Sequence, residues 1–113
     1  MYINHRSDDS RNANNVGRFV DSPNESIWTT SWKTYWSIID RCNLILDKID
    51  NAEFTNEERR DYIKGEAYML RAYAYWSLGW QWGGVPLITK TTPLAEIRKI
   101  PRSTQEVTLG QAI

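Results

Sequence analysis

The chain has 113 residues, 14 Lys and Arg balancing 14 Asp and Glu, one Cys and one His. That length allows one domain at most, or a piece of a larger one, and zero net charge argues against a nucleic-acid binder, which carries a basic footprint. The single Cys42 excludes an intrachain disulfide and a cysteine-based zinc site, and the lone His5 argues against a His-rich metal centre or a Ser-His-Asp triad.

Aromatic usage is uneven, with six Trp and six Tyr against two Phe. Cores built for packing alone favour Phe and aliphatics, because the Trp N–H and Tyr O–H each need a partner. Residues 1–30 are polar, rich in Asn, Ser, Asp and Arg, and interrupted by Gly17 and Pro23. They read as irregular chain, with no apolar run long enough for a signal peptide. Nor does any stretch reach the roughly 18 apolar residues of a membrane span.

A first helix is predicted over 31–50, with Thr30 or Ser31 as its N-cap. Trp32, Trp36, Ile39, Cys42, Leu46 and Ile49 recur at spacings of three and four, as on one face of a helix. The short link Ala52-Glu53-Phe54 implies an antiparallel helix pair. A second helix is predicted over 55–82. Thr55-Asn56-Glu57-Glu58 fits a capping box with Thr55 as cap. From Tyr62 to Trp82 this helix is apolar on nearly every face, which predicts burial on all sides. Gly83-Gly84 provides its C-cap and Pro86 stops it. Residues 83–102 read as loop. Ser103 as cap and Glu106 as box partner mark the start of a third helix over 103–113, which runs into the chain end. An end within an element and a second helix with too few partners together predict an internal fragment of a longer protein, an oligomer being the alternative.

These segments resemble the SusD/RagB family, the outer-membrane glycan-binding lipoproteins of Bacteroidota. Three blocks carry the resemblance: Trp32-x3-Trp36-x2-Ile39-x2-Cys42-Asn43, Gly65-Glu66-Ala67-x2-Leu70-Arg71-Ala72-Tyr73-x-Tyr75, and Gly83-Gly84-Val85-Pro86-Leu87-Ile88. Arg102 to Val107 roughly matches the family's approach to the next helix. Trp36 stands where Tyr is usual and Cys42 where Ala is usual. Beyond Val107, Thr108 and Gly110-Gln111 depart from the pattern. The resemblance implies an all-α, tetratricopeptide-like helix hairpin with long irregular loops, part of a larger fold. It implies binding of oligosaccharide or polysaccharide without covalent chemistry, and delivery to a SusC-like TonB-dependent transporter. It also implies attachment to the extracellular face of the outer membrane through a lipid anchor outside this chain, since Cys42 lies inside a helix. No cofactor and no nucleic-acid partner are implied.

Individual residues carry competing readings. Glu66 and Arg71 are charges set in an apolar helix; five residues apart, they do not share a face. They are expected to meet separate partners, because buried charges must be paired. Asn43, on the apolar stripe of the first helix, is expected to bond loop backbone, as a buried amide needs partners. The other Trp residues sit at helical spacing and read as core. Trp28 lies in the polar segment and offers an indole for a pyranose to stack on, with Asn24 and Arg18 as hydroxyl partners. Its alternative role is to seal the start of the first helix. Asp8, Asp9 and Asp21 are too weak a set to assign a metal. The rival function is a helical adaptor that binds proteins and no glycan. A glycosidase is the weakest reading, because Glu57, Glu58 and Asp61 share one exposed helical turn and do not face each other across a cleft.

Overall fold

The computed structural model describes residues 26–113. The chain divides into two compact units, Met1–Trp32 and Lys33–Ile113. Of the first, only the opening turns of a helix are described. Elements in chain order are α1 (Ser26–Lys48), a 3-10 turn (Ile49–Asn51), α2 (Glu57–Trp82), α3 (Leu94–Ile97) and α4 (Gln105–Gly110). There is no strand among the described residues, and the fold is all-α as expected.

The element edges differ from the predicted ones in instructive ways. α1 is already helical at Ser26, the first described residue and five before the expected Ser31, and it closes in the 3-10 turn. Trp28 is therefore helical rather than in a loop. α2 is capped by Asn56, not Thr55: the Asn56 side chain accepts a hydrogen bond from the Glu58 amide at 3.0 Å. α4 is capped by Thr104, not Ser103: the Thr104 hydroxyl accepts from the Val107 amide at 3.2 Å. In both pairs the neighbours are comparable cappers, so composition alone does not separate them. The expected loop over 83–102 contains the single turn α3, too short to show periodicity in the sequence. α2 does end at Trp82, where Gly83 takes a positive φ of 77° that side chains resist.

Within the second unit, α1 and α2 run antiparallel. Tyr35 meets Tyr73 and Trp82 through edge-on ring contacts at 6.3 and 6.4 Å. Further along, Asn43 meets Arg71, and Asp50 pairs with Lys64 at 3.0 Å. As α1 advances, its partners on α2 recede. The core joins Tyr35, Ile39, Ala74, Tyr75, Leu78 and Val85, with Trp36, Ile38, Trp82 and Leu87 packed against it. The buried stripe of α1 thus follows Tyr35, Ile39 and Cys42, so it is turned from the expected line: Trp32 is exposed and Tyr35 takes the interior place. Small residues on α2 (Ala67, Ala74, Ser77, Gly79) let neighbours approach closely. Only one side of α2 is buried; Tyr62, Tyr68, Met69, Leu70, Trp76 and Trp80 are exposed, contrary to the expectation of burial all round.

α4 packs on the C-terminal half of α2. Gln105 donates to the Gly79 carbonyl at 2.9 Å, and the Leu109 side chain lies where a Cβ on Gly79 would sit. Arg102 caps the end of α2, donating to the carbonyls of Trp82 and Gly84. Gly84 crosses the chain ahead of α4 so tightly that a Cβ would fall 1.6 Å from the Ser103 carbonyl oxygen. Backbone cannot yield there as a flexible side chain would. Replacing Gly84 with Ala is expected to cost about 3 kcal/mol through overpacking, read from denaturant unfolding; an unchanged midpoint would contradict the close crossing.

Candidate functional site

Leaving α2, the chain turns back as an irregular segment, residues 85–92, that is bonded to side chains of both α1 and α2. Such a segment has no helical or sheet partners, so its buried amides and carbonyls must find others. Side chains supply them. The Val85 amide donates to the Thr108 hydroxyl at 3.1 Å, and the Val85 carbonyl accepts from the Ser103 amide at 3.1 Å. Thr108 in turn donates to the Thr104 carbonyl at 2.9 Å.

Three motif side chains from two helices then converge on Ile88 and Thr89. The Tyr75 hydroxyl accepts from the Ile88 amide at 2.7 Å and donates to the Ile88 carbonyl at 2.9 Å. That same carbonyl accepts from the Asn43 amide nitrogen at 2.7 Å. Arg71 donates to the Asn43 side-chain oxygen at 2.9 Å and to the Thr89 carbonyl at 3.1 Å. Its guanidinium also sits 5.3 Å from the Tyr68 ring centroid, a favourable cation–π distance. Asn43 uses both ends of its amide, one toward the loop and one toward Arg71. At the far end, Asp47 accepts from the Thr91 amide at 2.7 Å.

Electrostatics follow this geometry. Burial pushes the Tyr75 hydroxyl above its ordinary pKa, so it stays a neutral donor and acceptor. Burial likewise raises the Cys42 thiol, partly offset by Arg71, which keeps it protonated and unreactive. The hydrogen bonds from Thr91 hold Asp47 below the usual carboxylate range.

The remaining candidate residues are scattered. Arg18 and Asn24, with Asp8, Asp9 and Asp21, lie outside the described residues. Trp28 is half-buried on the first turn of α1. Ala67 and Gly84 are buried, while Trp36, Ala72 and Pro86 are partly so. Glu66 and Gly65 are exposed, which corrects the reading of Glu66 as a buried charge; only Arg71 is. Glu58, Asp61, Tyr62, Gly65, Glu66 and Met69 line a shallow depression of about 540 Å³. All six come from one face of α2, so among the described residues it lacks the second wall that a small-molecule pocket needs. No group of three or more His, Cys, Asp or Glu suited to a metal occurs among the described residues. No helix there is long and apolar enough to cross a membrane. The Tyr75 hydroxyl was missed in the sequence because the ring was counted as apolar; the signal available was that a buried Tyr hydroxyl seeks a partner.

Truncating Asn43 to Ala, or Tyr75 to Phe, is expected to cost about 2 kcal/mol each by stranding buried backbone or guanidinium groups. Because both act on the Ile88 carbonyl, the double variant should be non-additive; simple additivity in denaturant unfolding would contradict a shared latch. For Asp47, the lowered folded pKa means its contribution is present above the unfolded value near ~3.9. It is lost as pH falls through the folded value. The stability gap between wild type and Asp47→Asn should therefore close in acid, and a gap that persists below both pKa values would refute the Thr91 bond as its source.

Comparison with known proteins places this arrangement. A SusD-like family model, described as starch-binding and associating with the outer membrane, matches residues 2–113. SusD-like protein P25 of Formosa agariphila is 31% identical over 83 residues, covering 74% of this chain and 16% of that protein. SusD-like protein P38 of the same organism is 41% identical over 69 residues, covering 61% of this chain and 13% of that protein. The crystal structure of a SusD-like carbohydrate binding protein from Bacteroides fragilis superposes with a TM-score of 0.77 at 22% identity, over 88% of this chain and 20% of that one. A second SusD-like protein from Bacteroides fragilis gives 0.75 at 22% identity, over 96% and 21%. The two structures share the helical fold, and the chain spans about a sixth or less of the curated relatives' length. With the family model matched over nearly its whole length, this chain belongs to the SusD-like family.

Proposed function

We propose that this chain forms part of the helical scaffold of a non-catalytic glycan-binding protein at the outer-membrane surface. The protein captures oligosaccharide and passes it to a TonB-dependent transporter. The family match across residues 2–113, with its description of starch binding and outer-membrane association, carries this reading. The geometry supports a division of labour. Asn43, Arg71 and Tyr75 spend their polar groups on the segment after α2, so they act as scaffold and leave ligand contact to other residues. Trp28 takes the ligand-contacting role in this proposal, with Asn24 and Arg18. An indole near the start of α1 suits stacking against a pyranose face, and the amide and guanidinium suit its hydroxyls. Lipid anchoring in the full-length protein completes the proposal, and no cofactor enters it.

Affinity electrophoresis of the full-length protein through polysaccharide gels tests the function. Retardation by at least one glycan is expected; free migration through a broad panel would favour a protein-binding adaptor instead. In the retarding gel, Trp28→Ala should weaken affinity about tenfold, near 1.4 kcal/mol, without lowering the melting temperature. Unchanged affinity would remove Trp28 from the site.

A further inference from the structure

Arg71 is only 9% exposed, yet its charge is unbalanced where it sits. An arginine carries five N–H donors in a planar fork. Nη1 commits its pair to the Asn43 side-chain oxygen and the Thr89 carbonyl. Nε–H and both Nη2–H groups have no acceptor among the described residues, and both nitrogens stay reachable from outside. The Tyr68 ring covers one guanidinium face. Among the described residues the ion pairs are Lys64 with Asp50 and Lys99 with Glu96, and Arg71 makes none. Asp47 feels the charges of Arg71 and Lys90 alike, but its carboxylate is taken by the Thr91 amide. One carboxylate against two cations leaves a positive charge over. Cys42 and Tyr75 also lie beside Arg71; burial keeps both protonated, so they add no negative charge.

We infer that the Nε–Nη2 edge of Arg71 is a carboxylate-binding position, taking one carboxylate side-on through two parallel N–H···O bonds. Buried charges are paired, and a guanidinium withdrawn from water is costly until a counter-charge meets it. The excess to be balanced is one charge, which a carboxylate matches and a phosphate group, close to two at neutral pH, exceeds. With Tyr68 over one face, approach in the guanidinium plane remains, and that approach suits a flat bidentate acceptor. The carboxylate belongs either to a side chain outside the described residues or to a free organic acid; both meet the edge with the same chemistry. Arg71 is then a joint with two working edges, Nη1 holding Asn43 and Thr89 and the other edge holding the acid. A Lys at this position lacks the planar fork to serve both. The inference concerns the charge of the latch and does not depend on glycan binding.

The test is a crystal structure of the full-length protein, purified and crystallised without added organic acids. A carboxylate should lie with its oxygens about 2.8 Å from Nε and Nη2. A side chain there names the protein as the source, and density for an acid carried through purification names a ligand. Water alone, an inorganic anion or a backbone carbonyl on that edge would overturn the inference. Melting temperatures check the same pairing in solution. If the acid is a side chain, Arg71→Met strands it, and converting that acid to its amide in the Arg71→Met background should recover several degrees. Losses that simply add would overturn the ion pair. If the acid is free, sodium formate should raise the melting temperature of the dialysed wild type above a sodium chloride control and leave Arg71→Met unmoved. An equal rise in both would overturn the site. Glycan retention enters neither arm, so its loss would sink the proposed function and leave this position standing.

Discussion

The backbone of Ile88 is the constraint around which this structure is arranged. A chain segment that leaves a helix and is buried brings polar groups with it, and each unmet one costs about 1–3 kcal/mol. Here the Ile88 amide and carbonyl are met by one Tyr hydroxyl and one Asn amide, reaching from different helices. Arg71 extends the same network to Thr89 and holds the Asn43 amide in orientation. The latch ties α1, α2 and the returning segment together, and the segment then delivers Val85 and Gly84 to the approach of α4. Loss of any one member strands the others, which is how buried polar networks enforce a single arrangement.

This network explains why the charged and amide residues of the recognisable motifs sit in otherwise apolar stripes. Arg71 is a cation whose nearest partners are neutral: a side-chain carbonyl, a backbone carbonyl and the Tyr68 ring. That arrangement suits gripping a loop more than binding a ligand. The aromatic excess divides in the same spirit. Tyr35, Tyr75, Trp36 and Trp82 build or flank the core, while Tyr62, Trp76 and Trp80 face outward along α2.

Much of this was legible in the residues, and the misses have physical causes. The helix pair, its antiparallel link and the Gly83 stop follow from period, loop length and glycine chemistry. Asn43 could be assigned to loop backbone because a buried amide has few other options. Arg71's partners were not legible, since they lie 28 and 18 residues away and bear no charge. Cap positions slipped by one where Thr55 and Asn56, or Ser103 and Thr104, compete on nearly equal terms. α1 already includes Ser26, the first described residue, although the polar composition before Ser31 reads as irregular chain, and this places Trp28 in the helix. Glu66 is exposed because only one side of α2 is covered in this chain, whereas its apolar run by itself predicts burial all round.

The central claim is that Asn43, Arg71 and Tyr75 hold the scaffold and do not touch the glycan. Calorimetric titration of a retained oligosaccharide into full-length Asn43→Ala, at a temperature where the variant is folded, tests this most directly. The account predicts a lowered melting temperature with an affinity within about twofold of wild type, well under 1.4 kcal/mol. A tenfold or greater loss of affinity, about 1.4 kcal/mol or more, in the folded variant would place the latch in the binding site and contradict the account.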